Sequence, residues 1–467
     1  MAQLAEKVIN LAQAIRDAGG RALLVGGCVR DLLMGVTPKD WDLEVYGLQA
    51  PKLRAVLDTF GPVNVVGEAF SVYKLDHDLD VSIPRRDRKA GKGHRGFVIE
   101  GDPDMDPAEA ARRRDFTINA IMQDPLTAEI IDPHEGRADL RKKILRAVSA
   151  GTFAEDSLRV LRAAQFAARF EFQVAPETEE LCREIDLSDL PAERIWGELE
   201  KLLLKAQRPS IGFEFLRNTG ALAQLFPEIT ALIDVPQDPE WHPEGEVFAH
   251  TMLVLDRAHE LIDDLPYAKQ VTVMLAALAH DFGKPATTEF IEGRWRSRGH
   301  EEAGMEPTQN FLDRLNLHTL AGYDVRTQVI ALVRDHLKPG EFYKKRAEVG
   351  DGAFRRLARK CEPDLLYRVA RADSLGRNSE LVPRAQWYGA EAQEWFIERV
   401  RELNIEQGPP PPLLMGRHLL ELGLAPGPKI GEITQTVYEM QLNNSVRTLE
   451  EAKAAAQKLL ESSKAGN

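Results

Sequence analysis

Apolar and polar positions change their spacing along the chain, and the change divides it into a mixed first part and a helical remainder. Leu4 to Ala18 carries apolar residues at helical spacing, and Gly19-Gly20 ends this predicted helix. Strand-like runs follow, either alternating or continuously apolar; they are Arg21 to Val25, Asp40 to Tyr46, Val63 to Val66, Val72 to Leu75 and Leu79 to Ile83. Strands interleaved with helices predict an α+β head with a mixed sheet for residues 1–147.

The pattern after Gly151 is helical almost throughout and requires no strand. Ser157 to Phe170 and Arg194 to Ala206 have broad apolar faces and charged outer faces, as packed helices do. A loop rich in Pro and Asp, Val235 to Gly245, separates this region from another helical block, and the proline run Gln407 to Pro412 reads as a stiff linker. We therefore expect an all-α neck and body at 148–235, an all-α domain at 246–404 and a short helical tail at 413–467.

The composition is that of a packed, water-soluble protein. The chain has 467 residues, of which 43% are hydrophobic, and this allows about three domains with real cores. No apolar stretch approaches the length of a membrane span, and Glu6, Lys7 and Arg16 interrupt the start, where a signal peptide would need an unbroken apolar run. We therefore expect a cytoplasmic protein without membrane contact.

The cysteines and the net charge exclude further classes. Cys28, Cys182 and Cys361 lie far apart, so neither a disulfide framework nor a zinc ribbon is indicated. The net charge of -13 argues against a protein that coats nucleic acid by bulk attraction. Local basic clusters at Arg85 to Arg95 and Arg137 to Arg146 would suit a phosphate backbone, although such clusters are more often solvated faces.

The most informative segment runs from Leu24 to Val45. A strand that ends in Gly26-Gly27 and enters a helix lets main-chain N–H groups approach a polyphosphate, because no Cβ stands in the way. On the next strand Asp40 and Asp42 are two residues apart, so both carboxylates point to the same face, as a Mg²⁺ site requires. Magnesium there would activate an attacking hydroxyl and neutralise charge on a phosphorus and its pyrophosphate leaving group. Each feature alone is usually structural, but their order and spacing together are far more specific.

This segment resembles the head of the class II tRNA nucleotidyltransferase and bacterial poly(A) polymerase family, within the polymerase-β-like superfamily. The resemblance implies a nucleotidyltransferase head in which Asp40 and Asp42 are catalytic and hold Mg²⁺. Gly26, Gly27 and Arg30 would then hold the triphosphate of the incoming nucleotide.

The resemblance continues through Ala111 to Ala120, which looks like the family's ribose-recognition motif. Its nucleotide-binding residues would be Arg114, Asp115 and Asn119. Arginines fork onto phosphate oxygens, and a carboxylate accepts from a ribose hydroxyl that a deoxynucleotide lacks. The alternative is a helix with solvated arginines and an apolar side that carries Phe116, but that alternative does not explain the neighbouring Asp115.

Glu155 to Arg162 resembles the family's Glu-Asp-x-x-Arg motif, in which an acid and an arginine act as an amino-acid template for the base. Asp156 and Arg159 would select C and A over G and U, and Arg162 would join them in the nucleotide site. An ordinary ion pair that caps the helix is the alternative. Glu193 to Glu198 matches the motif that braces this helix.

A second pattern begins near Phe248. Adjacent imidazole and carboxylate groups, His280 and Asp281, end a buried apolar helix, where a metal would offset the cost of burying charge. This pattern resembles the HD phosphohydrolase superfamily, and the metal ligands implied by the resemblance are His250, His280, Asp281 and Asp373, with His300 and His336 as the extra histidines of members that hold a second metal. Mixed ligands of this kind suit Mn²⁺, Fe²⁺, Co²⁺ or Ni²⁺, and phosphoester hydrolysis is the expected reaction. His242, His259 and His318 lack this context and are interpreted as structural.

An HD domain joined to a nucleotidyltransferase head is the arrangement of the HD-containing branch of CCA-adding enzymes. The resemblance thus implies Mg²⁺-dependent, template-independent addition of C and A from CTP and ATP to the 3′ end of tRNA, an RNA-binding body at 148–235 and a tRNA-facing tail. Glu44 departs from many relatives: on the same face as Asp40 and Asp42, it either extends the acidic site or weakens the assignment. Asp80 is a further candidate metal carboxylate.

Other functions fit parts of this pattern. Addition of CC only, of A only or of a poly(A) tail uses the same fold, and no residue of the sequence separates these activities. A phosphohydrolase whose head merely binds RNA is a rival of a different class, but the presence of both head aspartates and of Asp156 with Arg159 argues against it. A non-catalytic RNA-binding protein would release no pyrophosphate.

Overall fold

The computed structural model describes residues 2–66, 72–89, 97–377 and 389–465, and the chain divides between Leu225 and Phe226 into two units. The loop at 235–245, which the sequence analysis interprets as a boundary, lies inside the second unit. The finer division into four parts stays a prediction.

The first unit is built on a mixed sheet, and the bounds of its first five strands lie within one residue of the predicted strand-like runs. Its strands, among the described residues, are Arg21–Val25 (β1), Trp41–Tyr46 (β2), Asn64–Val66 (β3), Val72–Asp76 (β4), Leu79–Ser82 (β5), Arg85–Lys89 (β6), Phe97–Gly101 (β7), Met122–Gln123 (β8), Ile130–Ile131 (β9), Ile144–Leu145 (β10) and Gln173–Val174 (β11). The sheet order is β3-β4-β5-β2-β1-β8-β9, with β2 parallel to β5 and the other neighbours antiparallel. Strands β6 and β7 pair in a separate two-stranded sheet, and the predicted basic cluster continues from β6 into 90–96, which lie outside the described residues.

Helices cover this sheet and continue beyond it as the helical body. They are Ala2–Asp17 (α1), Gly27–Leu33 (α2), Ala50–Leu57 (α3), Pro107–Ala111 (α4), Gly136–Lys142 (α5), Ala150–Phe153 (α6), Leu158–Phe170 (α7), Pro176–Glu184 (α8), Ala192–Lys205 (α9), Ser210–Asn218 (α10) and Ala221–Leu225 (α11), with a 3₁₀ turn at Thr117–Asn119. The core on one face of the sheet joins Leu11 and Ile15 of α1 to Leu43 and Val45 of β2. This packing leaves the opposite face of β2 to carry the polar side chains Asp42 and Glu44.

One expectation about the body is wrong, because a strand does follow Gly151. Strand β11 pairs in parallel with β10, through Ile144 opposite Gln173 and Leu145 opposite Val174. Two residues are too few to produce a period-two pattern, so the apolar spacing gave no signal for this strand.

The second unit is a helical domain with two small hairpins. Its helices are Pro227–Thr230 (α12), Val247–His259 (α13), Tyr267–Ala279 (α14), Lys284–Thr287 (α15), His300–Ala303 (α16), Met305–Arg314 (α17), Val325–Asp335 (α18), Lys338–Lys344 (α19), Asp351–Ala358 (α20), Pro363–Gly376 (α21), Glu391–Glu402 (α22), Gly416–Glu421 (α23), Pro428–Leu442 (α24) and Leu449–Ala465 (α25). Helix α13 packs between α14 and α21, and α14 also packs against α18.

The hairpins of the second unit are Thr288–Ile291 (β12) with Arg294–Ser297 (β13), and Thr319–Leu320 (β14) with Tyr323–Asp324 (β15). Glu292 and Gly293 connect β12 to β13, and both have positive φ, as a tight two-residue hairpin turn requires. Helices α23 to α25 enclose a small core of their own, which includes Leu419 and Val437. In the described part of the chain, every helix is too short or too polar to cross a bilayer.

Candidate functional site

A cavity of about 520 Å³ opens in the first unit, and we call it the head cavity. Every residue that the sequence analysis assigns to the nucleotide site lines it, together with Asp42: they are Gly26, Gly27, Arg30, Arg114, Asp115, Asn119, Asp156, Arg159 and Arg162. Asp40 is exposed in the bend just before β2 and does not line the cavity. The fold thus brings together three segments of the chain, and the first and last of them are more than a hundred residues apart in the sequence.

The glycine bend is required by close approach rather than by flexibility alone. Gly26 has φ of 75°, and a Cβ added there would lie 3.1 Å from Nη1 of Arg114 and 3.6 Å from Oδ2 of Asp42. A side chain at this position would therefore crowd both charged groups. Helix α2 starts at the next residue, so its first main-chain N–H groups lie at the cavity wall.

Along β2, Asp42 and Glu44 alternate with buried side chains, whereas Asp40 precedes the strand. Asp42 is partly exposed, while Trp41 and Leu43 on the other face are buried. Asp80 lies directly opposite Asp42 in the parallel register of β2 and β5, and its Oδ1 is buried with no hydrogen-bond partner among the described residues. Burial raises the pKa of Asp42, Arg114 opposes the shift, and the carboxylates of Asp80 and Asp40 raise it further. Crowded acids with an unsatisfied oxygen fit a divalent cation, which would relieve their repulsion.

Glu44 lies on the same face of β2 as Asp42, but its carboxylate already contacts two other side chains. Its Oε2 accepts a hydrogen bond from the Tyr46 hydroxyl at 2.7 Å, and its Oε1 lies 3.9 Å from Nη2 of Arg114. These contacts place Glu44 between Tyr46 and Arg114, and it does not line the head cavity.

A buried polar network joins the ribose motif to the glycine bend. Asp115 accepts from Nδ2 of Asn119 at 3.0 Å and pairs with Nη2 of Arg162 at 2.6 Å. Asn119 in turn accepts from Nη1 of Arg30 at 2.8 Å. Burial alone would raise the pKa of Asp115, but Arg162 and Asn119 hold it below its ordinary value. Asp115 is therefore a charged group that orients Asn119 and Arg162 at the cavity surface.

The proposed base-reading pair is Asp156 and Arg159. Their spacing suggests an ion pair with each other, but each side chain contacts other residues. Asp156 pairs with Nη2 of Arg194 on α9 at 3.0 Å and accepts from the main-chain N–H of Leu158 at 3.2 Å. Arg159 donates to the carbonyl oxygens of Arg113, at 2.7 Å, and of Thr152. The predicted bracing motif thus acts through Arg194, which contacts Asp156 directly.

Sequence reasoning missed a cationic cluster on the same cavity. Arg169 of α7 and Lys201 and Lys205 of α9 line it beside Arg30. Burial and the neighbouring Arg169 and Lys201 lower the pKa of Lys205, and burial and Arg30 lower that of Arg169. Cations this close together repel one another, and a bound polyanion would relieve the repulsion. A helical wheel of α7 continued past Arg162 would have found Arg169, because the two are seven residues apart.

In the second unit, four of the predicted HD ligands line a cavity of about 770 Å³, which we call the histidine cavity: Asp281, His300, His336 and Asp373. His250 and His280 are buried and do not line it, but they contact Asp373 and Asp281, each at 3.1 Å. Nδ1 of His280, His300 and His336 lies 2.8, 2.8 and 2.6 Å from the carbonyl oxygens of Ala277, Ser297 and Val333. A carbonyl can only accept, so each Nδ1 carries the proton and each Nε2 offers a lone pair.

These lone pairs face other acceptors. Nε2 of His300 lies 3.3 Å from Nε2 of His336 and 3.4 Å from Oδ1 of Asp281, and Nε2 of His280 is buried with no hydrogen-bond partner among the described residues. On the other side, Nε2 of His250 lies 3.1 Å from Oδ1 of Asp373. Burial and the neighbouring imidazoles lower the pKa of His336 to about 3, so it is neutral. Acceptors facing acceptors fit bound metal, and the chain has residue groups able to hold metal ions.

The carboxylates of this site are ionised despite their burial. Burial alone would raise the pKa of Asp281, but the positive charge of Lys284, 2.8 Å away, helps to hold it well below its ordinary value. Burial alone would also raise the pKa of Asp373, but the hydrogen bond from His250 and the positive charge of Arg377 hold it well below its ordinary value. Lys284, three residues after Asp281, ion-pairs with that carboxylate at 2.8 Å and lines the cavity.

The interpretation of His242 as a structural residue is incomplete. Its Nδ1 lies 2.8 Å from Oε1 of Glu244, and the same oxygen lies 2.6 Å from Nδ1 of His250. Glu244 is almost fully buried and was missed altogether, since an acid in a proline-rich loop gives no helical or strand signal. Through this close contact with Nδ1, Glu244 holds the His250 ring with Nε2 toward Asp373. His259 and His318 do not line the cavity.

We expect the variant Glu244→Gln to bind metal at the histidine cavity about 10 to 100-fold more weakly, because the amide no longer holds both imidazoles through one charged oxygen. Titration calorimetry with Mn²⁺ measures this directly. Glu260→Gln is the matched control, since Glu260 is exposed and pairs only with Arg257, at 2.8 Å, among the contacts described. Equal metal affinity of the Glu244 variant and wild type would contradict the assignment.

Comparison with known families covers most of the chain. Residues 22–146 match the poly A polymerase head domain, residues 171–233 match the probable RNA and SrmB-binding site of polymerase A, and residues 247–378 match the HD domain. Among solved structures, a CCA-adding enzyme in complex with CTP has a TM-score of 0.63 at 20% identity and covers 97% of this chain and 94% of its own. The Thermotoga maritima CCA-adding enzyme complexed with tRNA has a TM-score of 0.59 at 19% identity, over 96% of this chain and 94% of its own. These structures share the fold.

Curated relatives are much closer in sequence. The multifunctional CCA protein of Mannheimia succiniciproducens is 41% identical over 304 residues, which are 63% of this chain and 70% of the relative. That of Actinobacillus pleuropneumoniae is 36% identical over 396 residues, which are 82% of this chain and 92% of the relative. The chain therefore belongs to the family of the multifunctional CCA proteins.

Proposed function

We propose that this protein adds C and A nucleotides to the 3′ end of tRNA without a nucleic-acid template, from CTP and ATP, and releases pyrophosphate. The observation that carries this proposal is the head cavity, where Asp42 lies beside the glycine bend and Arg114, and where Asp156 and Arg159 line the same space. The names of the curated relatives support the same reading. We place the enzyme in the cytoplasm with its tRNA substrate.

The catalytic step follows from the charges around the cavity. The 3′ hydroxyl of the RNA attacks the α-phosphorus, a new phosphodiester bond forms, the bond to the β-phosphate oxygen breaks, and the hydroxyl proton passes to solvent. Asp42, with Asp40 and Asp80 beside it, would hold Mg²⁺, which supplies charge neutralisation during this transfer. Arg30, Arg169 and Lys205 would bind the triphosphate and the departing pyrophosphate.

Selection of the base would rest on Asp156 and Arg159. The exocyclic amine shared by cytosine and adenine can donate to the Asp156 carboxylate, and the ring nitrogen can accept from Arg159. Guanine and uracil present carbonyl oxygens in place of that amine, and these oxygens would face the carboxylate. Arg194 holds Asp156 from the side of α9 and so fixes the direction in which it accepts.

Asp156→Asn should relax this selection. The amide can donate as well as accept, so we expect the preference for CTP over UTP, as a ratio of kcat/KM, to fall between about 5-fold and 150-fold. Single-nucleotide incorporation into tRNA lacking its last residues measures the ratio. Glu155→Gln is the matched control, because Glu155 is adjacent and exposed. An unchanged ratio would contradict the role of Asp156 in base selection and leave it only the structural role of capping α7.

The second unit would carry a separate phosphohydrolase activity. His250, His280, Asp281, His300, His336 and Asp373 would hold Mn²⁺, Fe²⁺, Co²⁺ or Ni²⁺, which supplies activated water for attack on a phosphorus. Water adds to the phosphorus, the bond to the ester oxygen breaks, and the alcohol takes a proton. Lys284 and Arg377 line the cavity beside the ligands and would bind the phosphate oxygens.

One experiment separates the proposed head activity from its rivals. tRNA lacking its 3′ CCA is incubated with labelled CTP, with ATP or with both, and the products are sized to the nucleotide. Three added residues with both nucleotides support the proposal. A product with C only, with A only, or with a long A tail would assign the corresponding rival, and no extension would leave the second unit as the catalytic part.

A further inference from the structure

Two tryptophans stand exposed at the histidine cavity. Trp241 is 50% exposed and Trp295 is 36% exposed, and both line the space that also holds Asp281, His300 and His336. Exposed aromatic rings that line a cavity offer a ligand flat apolar faces on which a ring can stack. The cavity of about 770 Å³ is also far larger than a phosphate group requires and lies in the range of small-molecule sites, about 300–1,000 Å³.

The two rings are carried by segments that are fixed to each other through Asp238. Its carboxylate accepts from Arg294 on β13, with Nε at 2.5 Å and Nη2 at 3.2 Å, and Arg294 directly precedes Trp295. Its carbonyl oxygen accepts from the main-chain N–H of Trp241 at 3.1 Å. Phe290 packs edge-on against Trp295 with ring centroids 5.0 Å apart. The rings therefore sit on a braced surface, and little ordering cost remains for a ligand.

Cations accompany the rings. Arg296 follows Trp295 on β13 and lines the cavity, and its Nε is buried with no hydrogen-bond partner among the described residues. Lys284 and Arg377 lie deeper, beside the metal ligands Asp281 and Asp373. Aromatic faces at the rim and cations near the ligands suit a molecule with a flat ring at one end and a phosphate at the other.

We propose that Trp241 and Trp295 bind the nucleobase of a phosphate ester whose phosphate lies at the metal ligands. These tryptophans are thus specificity-determining residues. The inference rests on the hydrolysis proposed for the second unit and extends it by assigning the residues that recognise the base. The same ring chemistry is offered by a free nucleotide and by the 3′ end of an RNA.

The test compares substrates with and without a base on the full-length protein loaded with Mn²⁺. Adenosine 3′-monophosphate and a short RNA with a 3′-phosphate carry the base, and glycerol 2-phosphate is the secondary phosphate ester without one. We expect Trp241→Ala and Trp295→Ala each to raise KM for the substrates with a base about 10-fold or more, while hydrolysis of glycerol 2-phosphate stays unchanged. Trp241→Phe and Trp295→Phe should restore most of the lost affinity. A KM increase confined to the RNA would identify an RNA end as the source.

Other results would overturn the proposal. An unchanged KM for adenosine 3′-monophosphate and the RNA would show that the rings bind no base, and an equal loss on glycerol 2-phosphate would give them a structural role only. If wild type hydrolyses none of the substrates, the hydrolytic function fails by itself. Calorimetric binding of adenosine 3′-monophosphate then decides: less bound nucleotide in both alanine variants supports base recognition, and equal binding overturns it.

Discussion

Asp42→Asn should abolish nucleotide addition while leaving the fold of the first unit intact. The change keeps the shape of the side chain and removes the charge that faces Arg114 and Asp80. Charge neutralisation by a bound metal is worth several kcal/mol in transfer reactions, so we expect a loss of at least ~10³-fold in kcat/KM. Incorporation of labelled CTP into tRNA without its CCA end gives the rate. Asp40→Ala should abolish incorporation as well, through the neighbouring carboxylate.

Asp58→Asn provides the control for both variants. Asp58 is an exposed head carboxylate that pairs with Arg54 at 2.8 Å, away from the cavity residues, and its variant should incorporate CTP at the wild-type rate. Thermal unfolding monitored by circular dichroism separates lost chemistry from lost structure. Normal turnover by the Asp42 variant would reject the assignment of the metal site to this strand.

His280→Ala should remove phosphoester hydrolysis and leave nucleotide addition unchanged. The imidazole Nε2 lies 3.1 Å from Oδ2 of Asp281, and without it the two buried carboxylates lose a neutral ligand that shares the metal with them. We expect hydrolysis to fall by at least ~10³-fold, because activation of water depends on the metal. Release of phosphate from adenosine 3′-monophosphate in the presence of Mn²⁺ measures it.

His280 is almost fully buried, so its truncation also leaves a void in the second unit. Asp373→Asn, which conserves volume, is therefore the companion variant and should show the same loss. The phosphohydrolase rival predicts instead that His280→Ala removes all catalysis, including CTP incorporation. Retained incorporation with lost hydrolysis would reject that rival.

The local elements of the head could be predicted because its signals are local. Strand β1 begins and ends where the apolar run from Arg21 to Val25 does, and β2 alternates buried Trp41 and Leu43 with Asp42 as period two requires. The order of the sheet could not be obtained in this way. It places β1 beside β8, about a hundred residues later, and no spacing along one strand specifies its partner.

The candidate sites show the same limit. Motif residues such as Asp115 and Arg162 were predicted, but the bond between them links positions 47 residues apart, and only the folded chain shows that they satisfy each other. Glu244 and Trp241 were missed because they lie in an irregular loop, where residue type has no periodicity to interpret. The loop looked like a domain boundary, whereas it walls the histidine cavity.

The contact between Arg194 and Asp156 has a consequence for how such an enzyme can evolve. Arg194 stands on α9, which packs against α7 and has several buried leucines, Leu199 and Leu203 among them. A change of volume in that interface would rotate α9 by a few degrees and swing the guanidinium that aims the Asp156 carboxylate. Substitutions that repack these leucines would therefore change the nucleotide preference, even when every residue that touches the base stays the same.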